Sequence, residues 1–207
     1  MHEIPTRDRR VERHEATKAE ILEAAWELVR TEGLAALSLR DLAGRVGMRA
    51  PSLYSYFDSK NGIYDAMYAQ GSLEFVEGEA LVPRTGDLLT DLKAGLRYFI
   101  GFCTKDPARY QLLFQRTIPG FEPSPESFAI SVESLAAISA RLAAMGMDHP
   151  HDIDLMTAMG TGLTDQQISN DPGGERWSRL VDEAAEMLFK HVTTRTTKTT
   201  KRGRKPG

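Results

Sequence analysis

Residues 38–60 read Ser-Leu-Arg-Asp-Leu-Ala-Gly-Arg-Val-Gly-Met-Arg-Ala-Pro-Ser-Leu-Tyr-Ser-Tyr-Phe-Asp-Ser-Lys. Ser38 and Asp41 are spaced as in a capping box, which predicts a helix beginning at Leu39. Gly47 follows where a helix needs a left-handed residue at its end, and Pro51 suits the first turn of a second helix. Two short helices joined by a glycine turn form the smallest device that places a helix in the major groove of DNA. The stretch therefore predicts a helix-turn-helix.

The side chains of this stretch separate into an inward and an outward set. The inward set is apolar and has helical spacing: Leu39, Leu42, Ala43 and Val46 in the first helix, Leu53 and Phe57 in the second. Lys60 falls in the first turn of a third helix, where its charge opposes the helix dipole, and a bound phosphate would remove that conflict. An ordinary helical hairpin with solvent-facing tyrosines is the alternative to a DNA-binding surface.

A longer stretch, residues 17–63, resembles the DNA-binding domain of the TetR/AcrR family of bacterial transcriptional regulators. The similarity runs without a gap through Thr17-Lys18-Ala19-Glu20-Ile21-Leu22-Glu23-Ala24-Ala25, Glu32-Gly33, Ser38-Leu39-Arg40-Asp41-Leu42-Ala43, Leu53-Tyr54-Ser55-Tyr56-Phe57-Asp58-Ser59-Lys60 and Ile63. The resemblance implies an all-α protein with a three-helix DNA-binding domain and a larger ligand-binding and dimerisation domain. It also implies a homodimeric repressor that a small molecule releases from double-stranded operator DNA.

The resemblance assigns DNA contacts to particular residues. Phosphate contacts would come from Tyr54, Tyr56 and Lys60, with Ser38 and Arg40 nearby; the candidates for base contacts are Arg49, Ala50 and Ser52. The sequence departs from the family at Arg49, because many members have Ser or Thr there to cap the second helix. Arg49 cannot cap in that way, but it could reach a guanine edge or a phosphate. The transfer of base contacts is therefore least secure at Arg49 and Ala50.

Composition limits the class of protein. The chain has 207 residues and one cysteine, Cys103, so we expect no disulfide, no cysteine metal cluster and a cytoplasmic setting. We expect no signal peptide, and no membrane span because no stretch approaches 18 apolar residues. The net charge of −3 is segregated: residues 1–60 are neutral, residues 61–192 carry −9 and residues 193–207 carry +6. The acidic body indicates that only a local face contacts DNA.

Hydrophobic periodicity and turn residues predict nine helices and no strand. Helix 1 is predicted to begin at a capping box, Thr17 to Glu20, and the later helices to cover 59–80, 86–105, 107 onward, 124–147, 151–169 and 175–192. The predicted domains are a flexible charged arm (1–16), a DNA-binding domain (17–63), a ligand-binding and dimerisation domain (64–192) and a disordered basic tail (193–207). The arm could instead reach a neighbouring groove, and the tail could tether the protein to DNA.

The larger domain carries two further sets of candidates. The family uses its last two helices for dimerisation, which points to apolar and small residues there: Met156, Met159, Gly160, Leu163, Trp177, Leu180, Val181, Ala184, Met187 and Leu188. Burial of both stripes within their own domain is the alternative. Candidates for an apolar ligand site are Phe99, Phe102, Cys103, Tyr110, Phe114, Phe128 and Met159, each of which could equally be core. A neutral or cationic hydrophobic effector is predicted, unless Arg97, Arg109 or Arg116 points inward.

No enzyme or cofactor signature is present, and no metal site is predicted. Cys103 lies on an apolar helical stripe, which favours an inert thiol over a nucleophile. His149 and His151 lack a matched third ligand, and Gly160-Thr161-Gly162 follows no strand, so it is not a phosphate loop. The rival from another class is a small-molecule-binding or interaction protein that has lost specific DNA reading. A transcriptional activator is also compatible with the sequence.

Overall fold

The computed structural model describes the backbone of residues 6–202 and the side chains of residues 9–195. Over this part of the chain the fold is all-α, with nine α-helices, which confirms the predicted fold class and helix count. The helices are α1 (Thr6–Glu32), α2 (Leu39–Arg45), α3 (Ala50–Leu53), α4 (Lys60–Ala80), α5 (Leu88–Lys105), α6 (Pro107–Phe114), α7 (Pro125–Ala144), α8 (Pro150–Asn170) and α9 (Val181–Arg202). Single 3₁₀ turns cover Leu34–Ala36 and Ser178–Leu180.

The chain divides into two compact units, and long helices continue from one into the other. The first unit is Met1–Ser72 with Ala108–Phe128, and the second is Leu73–Pro107 with Ala129–Gly207. The predicted domain boundary at residue 63 does not coincide with this division. α4 stays with the first unit up to Ser72 because Ile63, Tyr64 and Met67 are part of its core.

The core of the first unit is built from the inward faces of α1, α2 and α4. Ile21, Ala25, Leu28 and Val29 of α1 are buried against Leu42 and Ala43 of α2, Leu53 of α3, and Ile63, Tyr64 and Met67 of α4. The spacing of these residues at three and four positions is what an amphipathic helix requires. Each buried aliphatic side chain contributes about 1.5–3 kcal/mol of hydrophobic free energy, so this small core can hold short helices that would not persist alone.

The core of the second unit lies between α5 and α9. Leu88, Leu92, Leu96 and Ile100 repeat along one face of α5 and pack with a matching face of α9, formed by Val181, Ala185, Leu188 and Val192. α8 lies against α5 at Gly160, where an added Cβ would be 3.3 Å from the Phe99 ring. The glycine therefore permits the close approach of the two helices.

Two helices are longer than the sequence predicts. α1 begins at Thr6, so the predicted start at Thr17 is wrong, and residues 6–16 are helical where a flexible arm was expected. A capping signal permits a helix start without imposing one, and the Arg, Glu and Ala residues upstream of Thr17 are good helix formers. α9 likewise continues through Thr193 to Arg202, where a disordered tail was predicted. Residues 203–207 of that predicted tail lie outside the described residues.

The continuation of α9 has a visible anchor. Arg195 forms an ion pair with Asp152, a wholly buried carboxylate in the first turn of α8, at an Nη2–Oδ2 distance of 2.5 Å. A buried carboxylate is unfavourable unless a cation and hydrogen bonds compensate it, so Asp152 holds Arg195 firmly. This ion pair anchors the threonine-rich end of α9, whose helix propensity is low, to α8.

α7 is an apolar and largely exposed helix. By length and composition alone it is the one helix among the described residues that could cross a membrane, and little of it is buried. Core helices of water-soluble proteins pass the same test, and α7 itself carries Glu126, Glu133 and Arg141. The expectation that no segment reaches membrane-spanning length therefore needs this one amendment.

Candidate nucleic-acid interface

The predicted helix-turn-helix is present in the first unit, with the expected caps. Ser38 is the N-cap of α2, and its Oγ accepts a hydrogen bond from the Asp41 N–H at 3.4 Å. Gly47 adopts φ of +68°, a left-handed conformation that a residue with a side chain rarely takes, and the Met48 N–H donates to the Ala43 carbonyl at 2.8 Å. These contacts close the turn that sets α3 against α2.

α3 is shorter than predicted, and the two tyrosines follow it. The α-helix covers only Ala50–Leu53, and Tyr54 and Tyr56 lie in the turn after it. Leu53 is wholly buried and fixes the inner face of this segment. The Tyr54 side chain is 53% exposed, whereas Tyr56 is half-buried. The hydroxyl of Tyr54 is thus presented to solvent from a segment anchored on the other side.

Arg49 is the N-cap of α3 by its backbone, which is extended there. Within the described chain its side chain makes no capping hydrogen bond, as the sequence predicted. Arg49, Arg40 and Ser52 are all exposed, so guanidinium and hydroxyl groups are presented on one short segment. Ala50, by contrast, packs partly against the core, which leaves less of its methyl group for a base edge. Ser38 is also half-buried, and its oxygen is engaged in the cap.

Lys60 is the first residue of α4, and its side chain contacts two groups of the first unit. Its ammonium group donates to the Ala35 carbonyl at 3.2 Å and lies 5.5 Å from the centre of the Tyr64 ring. An ammonium group has three donors, so this contact leaves others for a phosphate. The position at a helix N-terminus, where backbone N–H groups favour anions, suits the same ligand.

Tyr64 stabilises the 3₁₀ turn that contacts Lys60. Its hydroxyl is buried and donates to the Leu34 carbonyl, in the 3₁₀ turn between α1 and α2. Burial raises the pKa of the Tyr64 hydroxyl above its ordinary value, so the neutral donor form persists through the physiological range. Tyr64 therefore fixes the loop whose Ala35 carbonyl holds Lys60.

Two contacts from α1 were not among the predicted site residues. The His14 ring is stacked on the Tyr56 ring, with 4.6 Å between centroids and 18° between planes. The Lys18 ammonium lies 5.6 Å from the centre of the Phe57 ring. The sequence offered no signal for the first contact, because His14 falls in a segment that composition assigns to a solvated arm.

The predicted ligand-site residues do not all lie in one unit. Phe99, Phe102, Cys103 and Met159 belong to the second unit, whereas Tyr110, Phe114 and Phe128 belong to the first. In the second unit, the Phe75 ring contacts those of Tyr98, Phe99 and Phe102 at centroid distances of 5.2–6.2 Å. In the first unit, Tyr110 and Phe114 contact each other at 5.9 Å. Phe75 and Tyr98 were not in the predicted set, although Phe75 is their common neighbour.

Several predicted interface residues belong to the second unit's own core. Gly160, Val181, Ala184 and Leu188 are buried within the isolated chain, and Leu188 is only 1% exposed. A residue already covered by its own subunit has little surface to offer a partner, so the burial of these four favours the alternative of packing within their own domain, and the dimer interface stays a prediction. Met187 is 68% exposed, and the rest of the set is partly exposed: Met156, Met159, Leu163, Trp177 and Leu180.

The residues with potential chemistry have structural partners. Cys103, the one cysteine of the chain, forms no disulfide and is fully buried. His149 caps α8, because its Nδ1 accepts a hydrogen bond from the His151 N–H at 3.2 Å. No group of three metal-ligating side chains occurs among the described residues.

Comparison with known proteins finds a family model that matches the helix-turn-helix part of the first unit. A model of the family described as "Bacterial regulatory proteins, tetR family" matches residues 21–67. The HTH-type transcriptional activator FasR of Mycolicibacterium smegmatis is 31% identical over 99 residues, 47% of this chain and 45% of that protein. The HTH-type transcriptional regulator Rv1816 of Mycobacterium tuberculosis is 27% identical over 124 residues, 58% of this chain and 53% of that protein. The chain thus spans about half the length of the curated relatives it matches.

Solved structures resemble nearly the whole described chain in fold. A tetR-family bacterial regulatory protein from Rhodococcus RHA1 has a TM-score of 0.63 at 20% identity, covering 83% of this chain and 96% of that one. A TetR variant from Acinetobacter baumannii AYE, in complex with minocycline, has a TM-score of 0.57 at 19% identity, covering 84% and 94%. At these identities the likeness establishes the fold alone.

Proposed function

We propose that the protein is a homodimeric repressor that a small molecule releases from its operator. The chain belongs to the TetR family of bacterial transcriptional regulators, which are helix-turn-helix DNA-binding proteins and not enzymes. The observation that carries the proposal is the exposure of Arg40, Arg49, Ser52 and Tyr54 on a segment whose inner side is fixed by Leu53. Exposed donors on a rigid segment are what DNA contacts require.

The proposed DNA contacts are of two kinds: phosphate contacts that position the protein and base contacts that recognise the sequence. Tyr54, Tyr56 and Lys60 hold phosphates, and Arg40 lies near them. Arg49 and Ser52 reach base edges in the major groove, where arginine pairs with guanine through two hydrogen bonds. Ser38 supports the surface as a cap, and Ala50 contributes less because it packs partly on the core.

The proposed dimer uses α8 and α9. The exposed apolar side chains Leu155 and Met187 lie on these helices, and Trp177 and Leu180 are partly exposed before α9. A two-fold dimer would present two helix-turn-helix segments and so would bind a roughly palindromic operator.

The proposed effector is largely hydrophobic and binds the body of the protein. The ring cluster around Phe75 supports an apolar site in the second unit. The Acinetobacter relative was crystallised with minocycline, which supports small-molecule binding in this fold. Arg97 is paired with Asp182, and Arg116 is 91% exposed beside Glu122, so neither argues for an anionic ligand. Arg109 of α6 is half-buried, so the exception for an inward-pointing arginine stays open for this residue. We keep the prediction of a neutral or cationic effector, and of a cytoplasmic protein.

A gel-shift with the DNA upstream of the protein's own gene tests the proposal. A specific shift that the unlabelled operator competes away supports DNA reading. A protein that folds, binds small molecules and shifts no DNA would instead be the interaction protein named as the rival. The relative FasR is named an activator, so a promoter–reporter assay with and without the protein is needed to distinguish repression from activation.

A further inference from the structure

The first turns of α1 separate their charges by face. Arg10, His14 and Lys18 follow one another at four-residue spacing, and Arg13 lies beside them on the same side of the helix. Glu12 falls on the opposite side, since each residue turns the helix by about 100°, whereas Glu15 borders the row at about 60° from Lys18. Residues 9–16 are exposed, and the first wholly buried residue of α1 is Ile21. The basic face, defined here as Arg10, Arg13, His14 and Lys18, therefore extends beyond the core.

This basic face runs beside the segment that follows α3. His14 is stacked on Tyr56, and Lys18 lies over Phe57, one residue further along the chain. Arg10 is one turn beyond His14, about 6 Å along the helix axis. Glu12 is turned away from this segment, because His14 and Lys18, on the other side of the helix, are turned toward it.

We propose that the basic face of α1 is a second DNA-contact surface, which binds phosphates beside the groove that the helix-turn-helix reads. The proposal rests on the proposed function, because it requires that Tyr54 and Tyr56 face DNA. Phosphate is the expected partner because the face presents two guanidinium groups, an imidazole and an ammonium group, against one bordering carboxylate, Glu15. The stack with His14 also fixes the Tyr56 ring, so His14 acts as a positioning residue.

The test measures the salt dependence of DNA binding. Wild type, Arg10→Ala/Arg13→Ala and Arg30→Ala/Arg116→Ala are titrated into a fluorescein-labelled mixed-sequence duplex of about 30 bp, roughly three helical turns. The second double variant is the matched control, because it removes the same charge from exposed arginines outside the proposed surface. Circular dichroism melts establish that every variant folds.

Each lost phosphate contact lowers the slope of log K against log salt by about 0.9 per protomer. We expect a decrease of about 2 per protomer in Arg10→Ala/Arg13→Ala and little change in the control. Equal slopes for wild type and Arg10→Ala/Arg13→Ala, with wild type binding DNA, overturn the surface and leave the proposed function intact. A wild-type protein that binds neither this duplex nor its upstream DNA overturns both.

The positioning role has a separate readout. His14→Phe keeps a ring to stack on Tyr56, whereas His14→Ala removes it. We expect His14→Phe to bind the duplex like wild type and His14→Ala to bind several-fold more weakly. Equal weakening by the two variants would show that the stack does not position Tyr56.

Discussion

Two tyrosine hydroxyls in the first unit should have opposite consequences when removed. Tyr64 is 1% exposed and its hydroxyl donates to the Leu34 carbonyl, whereas Tyr54 is 53% exposed and faces solvent. Tyr64→Phe removes one of the two hydrogen bonds that the Leu34 carbonyl accepts, the other coming from the Leu37 N–H at 3.3 Å. The loss costs about 0.5–1.5 kcal/mol, and no cavity forms because the ring remains. Tyr54→Phe should change stability by less than about 0.5 kcal/mol, as surface substitutions do.

DNA binding should show the reverse pattern. A hydrogen bond from the Tyr54 hydroxyl to a charged phosphate contributes about 1.5–3 kcal/mol, so Tyr54→Phe should weaken operator binding at least tenfold. The slope of log K against log salt should stay unchanged, because a neutral phenol releases no counterion. Tyr64→Phe should bind DNA with near wild-type affinity at temperatures where it is folded, since its hydroxyl points to the interior.

Urea unfolding followed by circular dichroism measures the first effect, and fluorescence anisotropy with labelled operator measures the second. A lower urea midpoint with an unchanged m-value identifies a pure loss of stability. The reasoning is refuted if Tyr54→Phe lowers the midpoint as much as Tyr64→Phe does. It is equally refuted if Tyr54→Phe binds the operator like wild type.

Five further outcomes are expected. Lys60→Ala should lower the salt slope by about 0.9 per protomer, and Arg49→Ala should relax preference at one base position by about 1–3 kcal/mol, both seen by anisotropy with operator variants. Met187→Glu should give folded monomers in light scattering if α9 forms the dimer seam; a dimer of normal affinity would exclude that placement. Burial acts to raise the pKa of Asp91, but hydrogen bonds from Thr85 and Gly86 outweigh it and hold that pKa below 3.8. Asp91 therefore stabilises the fold above its unfolded pKa, and the urea-midpoint advantage of wild type over Asp91→Asn should shrink as pH falls through the lowered value. In thermal-shift screening, neutral or cationic apolar compounds should raise Tm, and a response confined to polar anions would contradict the predicted effector.

Local sequence signals predicted the helix-turn-helix because its geometry depends on few residues. Ser38 caps α2, Gly47 takes the left-handed conformation, and Leu53 is buried, all as their types and spacing indicate. The start of α1 was mispredicted because a capping pattern at Thr17 competes with good helix formers before it. Whether a helix continues through such a point depends on the whole segment.

Burial by a partner and burial within the chain produce the same sequence pattern. Leu188 and Met187 are neighbours on α9, yet the first is in the core and the second is exposed. Hydrophobic spacing marks an inward face but does not say which surface covers it. The ring cluster around Phe75 was missed for a related reason, since its members come from α4 and α5 and only the packing of those helices brings them together.

The charge distribution supports a directed encounter with DNA. The whole chain has a net charge of −3, but residues 61–192 carry −9 and residues 1–60 are neutral. The first sixty residues are neutral in sum but have a local positive excess, because Arg40 and Arg49 are exposed on the helix-turn-helix while Glu12 lies on the far side of α1 from the basic face. A polyanion is repelled by the acidic part of the chain and attracted by the face that carries these arginines, within about 8–10 Å at physiological salt. The same arrangement weakens non-specific binding by the rest of the surface, so the gain is in orientation and specificity more than in total affinity.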